Sequence, residues 1–134
     1  MNFPQVPSPW SVATQCASLY NKAREAGLAA GSKTVPVPMN VAQVDPMSGA
    51  VLKVYPQIDD GVCGFAWVNV KPGNSPFANW AKKAGLARKA YEGGVQFWVG
   101  DFSQSMARKE DYAYAFAKVL NDAGVKAYAN SRID

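Results

Sequence analysis

The sequence predicts an α+β domain: a four-stranded antiparallel sheet with two helices on one face. Three observations point to it. The stretch 64–71, Gly-Phe-Ala-Trp-Val-Asn-Val-Lys, alternates small or β-branched apolar residues (Gly64, Ala66, Val68, Val70) with larger aromatic or polar ones (Phe65, Trp67, Asn69, Lys71). A strand sends alternate residues to opposite faces, so this one has a tight-packing face and a face of different character. Two segments of helical apolar spacing follow helix-start residues, at Ser75-Pro76 and at Ser105. Further stretches of strand character lie between and after those helices, giving the order β-α-β-β-α-β from residue 64.

The elements follow in chain order. Ser8-Pro9 is a cap followed by proline, and Val12, Ala13, Cys16, Leu19, Tyr20 and Ala23 keep helical spacing, so a helix is expected over 9–26 with Gly27 as its stop. The Pro-rich stretch 27–40 reads as a surface connector, since Val35-Pro36-Val37-Pro38 cannot be a central strand. Residues 41–44 and 50–55 flank a Pro- and Gly-containing turn and form a β-hairpin. Asp59-Asp60-Gly61 is a second turn. After the 64–71 strand, Phe77, Trp80, Ala81 and Ala84 share a helical face that Gly85 closes, with Lys82 and Lys83 in the last turn, where cations suit the helix dipole. Residues 86–91 form a short strand, Glu92-Gly93-Gly94 a tight turn, and 95–99 a strong strand. The longest helix spans 106–123 and buries Ala113, Phe116, Ala117, Leu120 and Ala123, with Glu110 and Asp111 near its start. The stretch 125–132 alternates again as a last strand. With right-handed crossovers the order from residue 64 is that of the ferredoxin-like plait, the 64–71 and 95–101 strands being central. Residues 1–62 add a helix, connector and hairpin packed on this 63–134 core, within one compact domain.

Composition bounds the function. At 134 residues and 49% hydrophobic, the chain has enough apolar material for one globular core. It has no apolar run of the ~20 residues that a membrane span needs, and its N-terminus lacks the pattern of a signal peptide, so no membrane partner and a cytoplasmic location are expected. Histidine is absent, which removes His-based acid–base catalysis and His triads and leaves the usual zinc and iron sites without their commonest ligand. Cys16 and Cys63 form no pair motif and read as reduced, largely buried thiols. No catalytic residue, metal or cofactor is assigned, and the chain reads as non-enzymatic. The net charge of +4 falls wholly on residues 64–134, which suits an anionic partner as well as a merely solvated surface.

The candidate site is the second face of the sheet. Trp67, Trp98 and Tyr128 should share it, ringed by Lys71, Arg88, Lys126 and Arg132, with Asn69, Gln96 and Asn130 between them. Aromatics with basic and amide neighbours are what base stacking and phosphate contacts require. RNA-recognition modules use the same topology in this way, but their central-strand motif is not matched by 95–102, so the geometry is shared and not the family. The same face is also a place to bury the apolar side of the N-terminal helix, a second copy of the chain in a homodimer, or a different protein. Gly100-Asp101-Phe102-Ser103-Gln104-Ser105 leads into a helix and reads as capping rather than a phosphate loop. Arg132 near Asp134 reads as a local ion pair, or as an anion grip at the sheet edge.

From Cys63 the chain resembles a recurring family of small proteins of tailed bacteriophages, over 63–72 (CGFAWVNVKP), 92–99 (EGGVQFWV), 104–120 (QSMARKEDYAYAFAKVL) and 124–134 (GVKAYANSRID). The resemblance implies expression in a bacterial host's cytosol and brings no catalytic residues with it. By analogy with other small phage proteins, an inhibitor or modulator of a bacterial host protein, such as a defence component, is the alternative to a nucleic-acid or nucleotide binder. Val99-Gly100-Asp101-Phe102, a helix, then 124–128 also has the cadence of peptidoglycan-binding repeats of bacterial division proteins. Those repeats work outside the inner membrane, which does not suit the expected location.

Overall fold

The computed structural model describes residues 11–38, 42–55 and 61–134. It is a mixed α+β structure of three helices and two antiparallel sheets: α1 (Val12–Lys33), β1 (Ala42–Val44), β2 (Val51–Val54), β3 (Gly64–Val70), α2 (Pro76–Lys83), β4 (Arg88–Lys89), β5 (Val95–Trp98), α3 (Met106–Asp122) and β6 (Ala127–Ile133). The larger sheet has the order β4-β5-β3-β6, so β3 and β5 are central, and β1 and β2 form a separate two-stranded sheet.

Alternation along β3 decides what lies where. Gly64, Ala66, Val68 and Val70 are buried against the helices, joined by Val95 and Phe97 of β5 and Ala127 of β6. Phe77, Ala78 and Ala81 of α2 and Ala113, Phe116, Ala117 and Leu120 of α3 complete that core. Ser75 and Ser105 cap the two helices by accepting from the N–H groups of Ala78 and Arg108.

The N-terminal helix departs from expectation in extent and position. Ser11 caps it by accepting from Thr14 N–H at 3.1 Å, while the Ser8-Pro9 start lies outside the described residues. It also runs past Gly27 to Lys33. Gly27 is not a stop; it and Gly31 are places where α1 comes close to its neighbours. A Cβ on Gly27 would lie 2.9 Å from the Tyr112 ring, and one on Gly31 would lie 2.3 Å from Phe102. With Cys16 and Ala23 they form the buried stripe of α1. Arg108 Nη1 donates to Gly31 O at 2.9 Å, and Thr34 Oγ1 donates to Asp111 Oδ2 at 2.6 Å, fastening the helix end to α3. Tyr20 reaches between Trp80, Phe97 and Phe116, with centroid separations of 5.8–6.1 Å. So α1 joins the helical layer and does not cover the opposite sheet face.

Other differences are local. The strand expected over 86–91 shrinks to Arg88–Lys89. Glu110 and Asp111 lie beyond the first turn of α3 and serve as acceptors for Ser131 and Thr34 rather than as dipole partners. The sequence places the β1–β2 hairpin against the core, yet all seven of its strand residues are exposed. Its turn is held by Asp45, which accepts from Met47 N–H and Ser48 Oγ; those bonds keep its carboxyl below the usual range. Of the turn at 59–61, Asp59 and Asp60 lie outside the described residues.

Cys16 is fully buried and Cys63 half-buried, and both are free thiols. Burial pushes the Cys16 thiol from 9.0 up to about 11 and the Tyr112 phenol from 10.0 up to about 12. Both groups hold their protons more tightly folded than unfolded. The stability this represents is complete below pH 9 and declines as the pH rises towards 12. A thiol reagent at neutral pH should modify Cys63 alone in the native protein and both cysteines in denaturant. Mass spectrometry after timed labelling checks this; rapid native labelling of Cys16 would contradict its full burial in the core.

Candidate functional site

The face of the large sheet away from the helices holds all ten side chains singled out from the sequence. The pairing register sets them in rows. Trp98, Trp67 and Asn130 form one row; Arg88, Gln96, Asn69 and Tyr128 form the next. Lys71 and Lys126 continue the register beyond β3, where Lys71 N–H donates to Lys126 O at 3.2 Å, and Arg132 pairs with Phe65 at the other end. Among the described residues no element lies over this face.

Exposure along the rows is graded. Trp98 is 39% and Tyr128 54% exposed, while Trp67 is half-buried. The two indoles lie 5.0 Å apart at 32°, and Phe65 meets Trp98 edge-on at 6.1 Å. Trp67 thus packs against Trp98 across the strand pair, and its buried indole N–H has no partner among the described residues. Tyr128 stands apart at the Lys71 end.

The polar centre is Asn69, 3% exposed. Its Nδ2 donates to Glu92 Oε1 at 2.9 Å, and its Oδ1 accepts from Asn130 Nδ2 at 2.8 Å. This chain holds the β4–β5 turn against the sheet. Lys71, Glu92, Tyr128 and Asn130 surround Asn69 in a depression of about 410 Å³.

Among the described residues Lys71, Arg88, Lys126 and Arg132 make no ion pair within 4.0 Å. Lys71 and Lys126 occupy opposite positions on neighbouring strands, where like charges are unfavourable. Arg132 does not form the expected pair with Asp134; its guanidinium lies 5.5 Å from the Phe65 ring centroid, a cation–π contact. The buried Lys109 reaches the same ring from α3, at 5.6 Å.

Two contributors escaped sequence reasoning. Glu92 reads as a turn residue, and only the strand register brings it over Asn69. Phe65 lies on the predicted face, but its role as a seat for Arg132 has no sequence signature. The helix start at Ser105 is occupied as capping requires: Met106 N–H donates to Val62 O and Lys109 N–H to Ser105 O, both at 3.1 Å. Among the described residues no three Cys, Asp or Glu side chains gather as a metal site requires, and no helix is long and apolar enough to cross a membrane.

Comparison with protein-family models, curated proteins and solved structures returned no match.

Proposed function

We propose that the chain is a phage-type, non-enzymatic binding protein that takes single-stranded nucleic acid or a nucleotide on its open sheet face. The face belongs to a core of ferredoxin-like plait type, a reading supported by the β4-β5-β3-β6 order and by helices packed on the other side. One observation carries the function: among the described residues, Trp98, packed against Trp67, shares a face that no element covers with Tyr128 and four cations that have no acidic partner within 4.0 Å. Exposed rings supply stacking surfaces and the cations supply phosphate contacts.

The test is a titration with short single-stranded oligonucleotides at low and moderate salt, followed by Trp fluorescence. Binding should quench the signal and weaken as salt rises. Trp98→Ala, which removes one stacking surface, should weaken binding by about 1–3 kcal/mol, or roughly 5- to 150-fold, with the fold intact. Absence of quenching, or quenching indifferent to salt, overturns the reading.

A second reading, docking on a bacterial host protein, is favoured by the β1–β2 hairpin. Val44, Met47, Val51, Leu52 and Val54 are 50–94% exposed there, and an isolated two-stranded ribbon is marginal in water. Pull-down from bacterial lysate with and without nuclease separates the readings: a partner retained after nuclease treatment and lost on Leu52→Asp supports protein docking.

A further inference from the structure

We infer that the depression at the Lys71 end of the sheet is a base pocket selective for guanine, a proposal that rests on reading this face as a nucleic-acid or nucleotide surface. The observation behind it is a carboxylate where a surface tracking only phosphates would not have one. Glu92 is held over the sheet by the Asn130–Asn69–Glu92 chain, with Asn69 using both ends of its amide. Only Oε1 is engaged, by a single donor, so Oε2 and the remaining lone pairs of Oε1 are free to accept. Lys71 lines the same depression and has no ion pair among the described residues. Tyr128 supplies an exposed ring beside them.

An ionised carboxylate can only accept hydrogen bonds. Set against the edge of a base, it selects the edge with adjacent donors. Guanine presents two, N1–H and the N2 amino group, with the O6 acceptor next to them. The two Glu92 oxygens take the donors, and the Lys71 ammonium donates to O6. Adenine and cytosine each place a ring acceptor beside their amino group, and thymine or uracil flanks its one donor with two carbonyls. Each of those edges turns an acceptor towards the carboxylate and leaves it unpaired, which costs binding. Stacking on Tyr128 holds the base in place but is indifferent to its identity, so selectivity falls to Glu92.

The experiment compares a short oligo-dT strand with the same strand carrying one central dG, dA, dC or deoxyinosine, using wild type and Glu92→Gln. The exposed glutamine keeps an oxygen for Asn69 and leaves the sheet undisturbed. The dG strand should bind wild type roughly ten-fold tighter than oligo-dT, the difference one hydrogen bond to a charged group makes. Deoxyinosine, which lacks the N2 amino group, should fall between them. Glu92→Gln should bring the ratio of dG-strand to oligo-dT affinity to about one, and the readout is that ratio, since the removed charge acts on the affinity for both strands alike. Equal binding of all strands by wild type, or a dG preference that survives in Glu92→Gln, overturns the pocket and leaves the broader reading standing. No binding to any strand overturns both. Competition by GMP against AMP on a labelled strand gives the source: GMP-selective displacement assigns the pocket to a free nucleotide, and dG preference without it assigns the pocket to a base within a strand.

Discussion

Phe116→Ala should lower the stability of the protein by about 3–5 kcal/mol, the cost of emptying a fully packed aromatic site. The ring is 2% exposed and stands where the layers meet. Tyr20 of α1 lies 5.8 Å away edge-on, Phe97 of β5 at 5.3 Å, and Tyr112 of α3 stacks at 6.0 Å. Removing it opens a void that no single neighbour can fill, because each is pinned by another ring. A domain of this size has about 5–15 kcal/mol in all, so the variant should unfold at a far lower urea midpoint. Val119→Ala, on the same helix at a half-buried position, is the comparison and should cost about 1 kcal/mol. Equal losses for the two would mean that α1 does not close over Phe116 as described.

Gly94→Ala should cost roughly 2–4 kcal/mol, combining a left-handed backbone with a collision. Gly94 has φ of +74°, and a Cβ there would lie 2.3 Å from Val70 O and 2.7 Å from Lys71 Cγ. The carbonyl belongs to the central strand and cannot rotate away as a side chain tip can. Gly93 provides the control: its φ is +102°, but the space around it is open. Gly93→Ala should therefore show the conformational cost alone, about 1–2 kcal/mol. The collision also bears on the site. Pushing the β4–β5 turn off the sheet withdraws Glu92 from Asn69, leaving a buried amide with one partner instead of two. Urea titration of the two variants checks the energies, and the Asn69 side-chain amide resonance in NMR reports whether Glu92 has moved. Equal costs at the two glycines would mean that the turn does not press on β3.

Most elements beyond residue 62 were legible because local signals agreed there. Alternation in 64–70, the Ser-Pro start at 75–76 and the Ser105 cap each point to the element that forms. Alternation also places Trp67, Asn69 and Tyr128 on one side of the sheet, since the period of a strand leaves no other choice. What was not legible depends on contacts between distant residues. Gly27 looks like a stop because glycine is a poor helix former, yet here it lets Tyr112 lie against the α1 backbone. The apolar stripe of α1 says that something must cover it and not what; that left its docking on α3 open and made concealment of Trp67 and Trp98 plausible. Glu92 has no local mark at all, since its meaning comes from a hydrogen bond 23 positions back to Asn69.

The tight seat of α1 also bears on how much of the chain can fold alone. The six elements after residue 62 look like a finished unit in order and number. Without residues 12–33, Tyr112, Phe116 and Phe97 would lose Tyr20 and the backbone of Gly27, and a strip of ring faces would turn to water. An exposed apolar strip of that kind is an aggregation liability. A piece meant to fold alone should therefore keep α1, and an excised sheet module should need polar replacements along that strip.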